Sequence, residues 1–256
     1  MTWARQIHLK SPDDLQVMRE AGRINASVLT KVKELLQPGV STADLNAAAE
    51  DVLKKHGCIS PFKGYGHPPF PASITVSINQ ELVHGIPSSK RKLKSGDIVS
   101  IDCGTVFDGF VGDSAFTAGV GEISAEAQTL LNVTEGALTA AIEKMRHGNR
   151  TGDVSAAIQK YVEDRGYFVT REYTGHGVGR QMHEGPQVPN YGRAGTGMPL
   201  KAGMTIAIEP MVLSGTAETK VLPDKWTVVS VDGSLTAHFE HTIAVTEGEP
   251  LLLTVL

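Results

Sequence analysis

The chain reads as an α/β fold in which one unit, two helices followed by a strand-rich stretch, is used twice to build a sheet with helices on one face. Three observations predict this. Helical and strand-like segments alternate, joined by short turns with no low-complexity linker. The helical stretch STADLNAAAEDVLKKHG returns as RTGDVSAAIQKYVEDRG: Thr42, Asp44, Ala47, Ala48 and Gly57 recur 109 residues later as Thr151, Asp153, Ala156, Ala157 and Gly166. The apolar stretch LKSGDIVSIDC, beginning at Leu93, returns 107 residues later as LKAGMTIAIEP, so Asp102 and Glu209 close matching strands. A period this long far exceeds the ~20 to 50 residues of a solenoid unit and points to a doubled half. The boundaries implied are one domain over 1–256 made of related halves, about 10–120 and 121–250.

Each element follows from local chemistry. Ser11-Pro12-Asp13-Asp14 is a capping box with proline at the first helical position, opening a helix that runs to Leu36 and stops before Gln37-Pro38-Gly39. A shorter helix follows from Thr42 to Gly57. In the second half the long helix is expected over Ser124 to His147 and the short one over Thr151 to Gly166. After Asp102, Asp108-Gly109 between strand-forming residues is the strongest two-residue hairpin signal. That turn sets Gly104 opposite Asp113 and Asp102 opposite Ala115, so both aspartates leave the same face as diagonal neighbours ~7 to 8 Å apart. Gly104, lacking a side chain, would leave space for an ion. In the second half Glu209 takes the place of Asp102, and TAHFEHTIAVT alternates so that Thr236, His238, Glu240 and Thr242 share one face. Glu240 is the natural partner of Glu209.

Composition limits the rest. With 256 residues, 41% hydrophobic and 20% charged, the chain can bury a full core. A net charge of −4 gives no general attraction to nucleic acid or anionic membrane, and Lys90, Arg91, Lys92 and Lys94 read as a solvated loop. The start, MTWARQIHLKSPDD, has no apolar signal core, and no apolar run approaches ~18 residues, so neither secretion nor a membrane span is supported and the cytoplasm is the default. Cys58 and Cys103 are too few for a disulfide framework and lack thiolate metal-site spacing; both read as reduced structural residues.

Four carboxylates gathered on one sheet face would repel each other and resist desolvation. A single acid at a strand end is ordinarily a turn or cap residue, but repetition at matched positions reverses that reading. Two divalent cations would offset four negative charges, and bridging carboxylates suit their ~3.5 to 4 Å separation. GHGVGRQMHEGP places His176 and His183 in a glycine-rich loop, and ELVHGIP places His84 in another. Each histidine alone is as readily a surface or core residue, although flanking glycines suggest close approach of backbone to something bound. His183-Glu184 has no second histidine at the zinc-protease interval, and Gly175 to Gly179 lacks the dinucleotide fingerprint. GRAGTG, Gly192 to Gly197, reads as a mobile loop.

Taken together, HGIP, IDCG, the Gly112-Asp113 pair, GHGVGRQMHEGPQV, TIAIEPMV and FEHTIAVT resemble the type I methionine aminopeptidases of the duplicated pita-bread fold, across essentially the whole chain. The resemblance implies a pseudo-twofold, antiparallel-rich curved sheet covered by helices on one face. It implies two divalent ions, manganese, iron(II), cobalt or zinc, held by Asp102, Asp113, His176, Glu209 and Glu240, with Asp113 and Glu240 bridging. It further implies that His84 contacts substrate near the scissile bond, that His183 supports the carbonyl oxygen, and that Glu209 shuttles a proton while metal-bound hydroxide attacks the first peptide bond. The implied substrates are N-termini of newly made proteins bearing methionine before a small residue, met near the ribosome by a monomer. By the same alignment Tyr65, Phe70, Thr75, Met182 and Trp226 wall the methionine pocket. The better-known bacterial relatives tend to carry Cys near Thr75 and Phe at Met182, and the longer GYGHPPFPASI segment leaves Phe62, Tyr65 and His67 without a settled assignment. Trp226 reads equally as a core residue.

Rival readings share the fold. Proline-directed peptidases have the same five-ligand pattern but usually add an N-terminal domain, and Glu240-His241-Thr242 with the short leader favours the methionine enzymes. A type II enzyme would carry a long insertion. Pita-bread modules that only bind proteins or chromatin typically lose ligands, whereas every ligand position is filled here.

Overall fold

The structure, a computed structural model, describes residues 7–256; the opening six residues, on which part of the leader reading rests, lie outside them. Helices α1 (Pro12–Glu34) and α2 (Thr42–Lys55) come first, then β1 (Ile74–Ile78), β2 (Glu81–Val83) and the hairpin β3 (Ile98–Phe107) and β4 (Phe110–Gly119). The second half opens with α3 (Ala125–Ile142) and α4 (Thr151–Glu163). Ten shorter strands follow: β5 (Phe168–Val169), β6 (Thr174–Gly177), β7 (Glu184–Pro189), β8 (Thr205–Ile208), β9 (Met211–Leu213), β10 (Thr219–Val221), β11 (Val228–Ser230), β12 (Thr236–His238), β13 (Glu240–Ala244) and β14 (Leu251–Leu252).

The main sheet runs β1-β3-β4-β13-β8-β6-β7, with β14 alongside β13, and its pairings are antiparallel. The predicted hairpin register holds: Phe107 faces Phe110, Gly104 faces Asp113 and Asp102 faces Ala115. On β3, Val99, Ile101 and Cys103 enter the apolar cluster shared with α1 and α2, so alternation turns Ser100 and Asp102 to the opposite face. On β8, Ile206 and Ile208 enter the cluster beneath α3 and α4. The helices thus cover one side, and the polar residues of matched strands collect on the other.

The repeat extends to backbone hydrogen bonds. Gly39 and Gly148 donate to the carbonyls of Leu93 and Leu200, while Leu93 and Leu200 donate back to Val40 and Asn149. Gly96 and Gly203 donate to Val120 and Val245, which donate back to Asp97 and Met204. The helix starts differ. Ser41 caps α2 through a capping box with Asp44, whereas Arg150 supplies no side-chain cap to α4. There the GRAGTG loop takes over: the Thr196 and Met198 carbonyls accept from Gly152 and Thr151, and Asp153 accepts from Gly195 N–H. That loop is therefore tied down by helix capping and is not the mobile segment its glycines suggest.

Three further expectations change. Helix α3 ends at Ile142, short of His147, because the chain tightens into i+3 turns that bury Met145 completely. Arg91 is not a solvated patch member; it pairs with Glu81 and donates to the carbonyls of Val76 and Ile86. A Cβ on Gly104 would meet Pro61 and Phe62 at 2.7 and 2.9 Å, so the glycine admits a wall of the cavity and does not leave open space. The two cysteines are free and buried, as read.

β4 and β13 join the halves through a short ladder, Glu240 opposite Ala115 and His241 opposite Ser114. On either side, threonine hydroxyls replace it. Thr242 Oγ1 accepts from Asp113 N–H at 3.0 Å and donates to Asp113 O at 2.8 Å. Thr117 Oγ1 does the same for His238, at 2.9 and 2.8 Å. Among the described residues no helix is long and apolar enough to cross a membrane.

Candidate metal centre

The strand ending on an acid is explained by what happens at Glu209-Pro210. Proline has no N–H, so the ladder must break there. Asn190 fills the break: its Nδ2 donates to Glu209 O at 3.1 Å and its Oδ1 accepts from Met211 N–H at 3.0 Å. The ladder between β8 and β13, with His241 opposite Ile208, brings Glu209 beside Glu240. Asp113 lies across the seam from Thr242, and His176 stands opposite Ala207. His176 belongs to β6, not to the loop assigned to it; its ladder continues through a bulge at Gly177, where a Cβ would strike Gly185 O.

One ligand atom each of Asp113, His176 and Glu240 lies within 4.8 Å of the others, and all three residues are buried. His176 Nε2 is 3.7 Å from Asp113 Oδ2 and 3.5 Å from Glu209 Oε1. Its Nδ1–H donates to Gly177 O at 3.0 Å, which leaves Nε2 bare and aimed into the group. Burial pushes Asp102 up to about 8. Asp113, Glu209 and Glu240 stand well above the ordinary carboxylate range, first through burial and then through the charges of their neighbours. Burial also holds the imidazoles neutral, His176 and His238 down to about 3, His84 and His183 to about 4. Asp102 Oδ1, Asp113 Oδ1 and His238 Nε2 are buried without a hydrogen-bond partner. Orphaned carboxyl oxygens around bare imidazole nitrogen, with mixed oxygen and nitrogen donors, suit a divalent cation that displaces the carboxyl protons, and the residues fit one.

These groups form the floor of a cavity of about 310 Å³. That is near the lower end for ligand pockets, enough for one end of a chain. Tyr65, Phe70, Thr75, Met182 and Trp226 all line it, with His84 and His183. Phe70 meets Trp226 edge-on at 5.2 Å, and the indole N–H donates to Pro68 O at 3.0 Å. A Cβ on Gly66 would lie 2.5 Å from the indole, so only glycine admits the ring there. His84 is held at φ 60°, a conformation rare without glycine, against Trp226 and Tyr173. His183 Nδ1 lies 2.8 Å from the Tyr65 hydroxyl, and its ring stands 4.4 Å from that of His176. His67 does not line the cavity, whereas Phe62 does.

Sequence reasoning assigned no role to His238, Tyr173 or Met211, which also line the cavity. His238 Nε2 is 3.7 Å from Glu209 Oε2 and 3.9 Å from Glu240 Oε2. A signal was available for His238 alone, which shares its strand face with Glu240; Tyr173 and Met211 arrive from other strands.

A curved antiparallel sheet backed by helices, with buried acids and imidazole converging on its open face, defines a metallopeptidase of the pita-bread class. The chain belongs to metallopeptidase family M24, whose sequence profile matches residues 16–247, and within it to the methionine aminopeptidases. It is 50% identical over 249 residues to a methionine aminopeptidase of Clostridium acetobutylicum, covering 97% of this chain and 99% of the relative. Methionine aminopeptidase 1 of Bacillus subtilis is 52% identical over 238 residues, covering 93% and 95%. The crystal structure of a methionine aminopeptidase from Thermotoga maritima superposes with a TM-score of 0.95 at 44% identity, covering 98% of this chain and all of that one.

Proposed function

We propose that this protein removes the N-terminal methionine from newly made proteins and peptides when the second residue is small. Asp102, Asp113, His176, Glu209 and Glu240 would hold two divalent cations. Manganese, iron(II), cobalt and zinc all suit this donor set. Bound there, the ions supply Lewis acidity that acidifies water and polarises the scissile carbonyl. Glu209 takes a proton from the attacking water at its carboxylate and returns it to the departing amide nitrogen. In this reading the Tyr65 hydroxyl, 2.8 Å from His183 Nδ1, is the donor, so that the neutral imidazole keeps Nε2–H for the substrate carbonyl oxygen, where negative charge develops. His84 contacts the chain beside the bond that breaks. Phe70, Met182 and Trp226, with Tyr65 and Thr75, surround the unbranched thioether in an apolar wall that strips water from it.

The observation that carries this reading is that acids and imidazole from both halves meet at the floor of a cavity with room for one terminal residue. The same reading takes 1–256 as one catalytic domain with halves at about 10–120 and 121–250, acting as a cytoplasmic monomer on nascent N-termini near the ribosome. A panel of Met-Ala, Met-Leu and Ala-Pro peptides, assayed with added manganese, tests it: release of methionine confined to the first supports the assignment. Cleavage of Ala-Pro would move the protein to the proline-directed enzymes. Glu209→Gln should keep the fold and lose on the order of 10²–10⁴ in turnover; retention of most activity would remove Glu209 from its role.

A further inference from the structure

A buried ion pair outside the metal cluster is unused by the chemistry above. Lys10 Nζ and Glu184 Oε2 lie 2.5 Å apart, with side chains 5% and 4% exposed. Lysine is rarely buried to that degree, and its partner sits one residue after His183. Nearby contacts show what the pair holds. Glu184 Oε1 accepts from Gln181 N–H at 3.2 Å, and Gly179 N–H donates to Gln181 O at 3.1 Å, closing 179–184 into a tight loop around the glutamate. The Lys10 stem crosses directly over Gly179, where a Cβ would lie 2.5 Å from Lys10 Cε and 2.7 Å from Glu184 Oε1. Lys10 is itself anchored: its N–H donates to Gly203 O at 2.8 Å, and its Nζ also donates to His8 O at 3.0 Å. Ser11 then caps α1, so the lysine is fixed between a helix start and the second half of the sheet.

We infer that Lys10 and Glu184 are positioning residues that set the placement of His183 in the reaction, by locking the 179–184 loop from the side away from the substrate. The inference rests on the reading of His183 given under Proposed function. The loop ends on the bulged pair of Gly177 with Glu184, so it lacks a regular ladder to fix its height. The Val111 N–H holds Gly179 O at the loop's start, and the ion pair adds the constraint at its Glu184 end. A shift of about 1 Å in a group that must meet a developing charge costs on the order of 100-fold in rate. His176 is held by its ladder with Ala207 as well as by Gly177, the backbone partner of Glu184, and substitutions of the Lys10 and Glu184 side chains leave both backbone pairings in place, so metal binding should not depend on the ion pair.

The test is a double-mutant cycle in the manganese-loaded full-length enzyme with a Met-Ala peptide. Lys10→Met combined with Glu184→Gln removes both charges and leaves no lone buried ion. The inference expects kcat to fall about 10- to 100-fold. KM and calorimetrically measured manganese affinity should each change less than about twofold, because the imidazole is misplaced while every metal ligand is kept. On a His183→Ala background the same pair of changes should cost nothing further, since the loop would have no imidazole left to place. Losses that multiply on that background, or an unchanged kcat, would overturn the inference. His183→Ala with unaltered turnover would instead overturn the underlying reading of His183. Should the double variant not fold, Lys10→Gln combined with Glu184→Gln runs the same cycle, because paired amides keep shape and hydrogen bonding while losing both charges.

Discussion

Raising the pH of the metal-free protein from 6.5 to 8 should weaken its fold, and a divalent cation should abolish the loss. Asp102 is pushed by burial from its ordinary 3.8 to about 8, and Asp113, Glu209 and Glu240 are also well above the usual range. The unfolded chain sheds these protons near pH 4, whereas the folded chain retains them, so stability falls as pH rises between the two values. Below 6.5, the ordinary histidine value, the buried imidazoles mask this. His176 and His238, held down to about 3, lack protons that the unfolded chain binds, which gives a slope of opposite sign. At 6.5 each unfolded histidine is still half protonated, so His84, His176, His183 and His238 together return about 1.6 kcal/mol between pH 6.5 and 8, which the carboxyls must outweigh. At roughly 1.4 kcal/mol per pH unit for each carboxyl, Asp102 alone costs about 2 kcal/mol over this window and a second retained proton brings the cost to about 4, so the net loss is about 2. Cations displace the protons and remove the slope. Urea unfolding of EDTA-treated protein at both pH values, with and without manganese, measures the effect. A metal-free midpoint that stays level or rises from pH 6.5 to 8 would refute the reasoning.

Two other substitutions probe the walls of the site. Trp226→Ala removes the ring that meets Phe70 at 5.2 Å and His84 at 6.1 Å, and should raise KM for methionyl peptides about tenfold, on the scale of the 1–3 kcal/mol of a hydrophobic pocket contact, in steady-state assays. Gly22→Ala would place a Cβ 2.1 Å from Leu253 O and 3.0 Å from Thr254 N. It should destabilise the protein by about 1–3 kcal/mol in urea unfolding, because neither backbone can yield cheaply.

The hairpin register was legible because Asp108-Gly109 fixes it locally, and from it followed the shared face of Asp102 and Asp113. The doubled unit was legible from helix and strand repeats that the backbone hydrogen bonds follow residue for residue. Local signals failed where distant segments decide the outcome. Glycines around His176 resemble a loop, but they serve close approach of strands, with Ala207 O 2.7 Å from where a Cβ of Gly175 would sit. The GRAGTG loop is ordered by a helix some 40 residues earlier, and Arg91 by Glu81 across a turn. Buried charge is the clearest case. Nothing adjacent to Lys10 announces that it will reach Glu184, because the two meet only once the halves are folded together.

The seam between the halves is held partly by Thr117 and Thr242, whose hydroxyls stand in for sheet bonds at His238 and Asp113. Short of proline, a substitution leaves the peptide ladder's N–H and C=O groups in place, whereas a hydroxyl is removed by a single change. Serine would preserve each link while loosening its grip, and valine would unhook it, with the interiors of both lobes untouched. The spacing of the two banks that face each other across the cleft is thereby a heritable setting, open to adjustment at two positions that never meet the peptide.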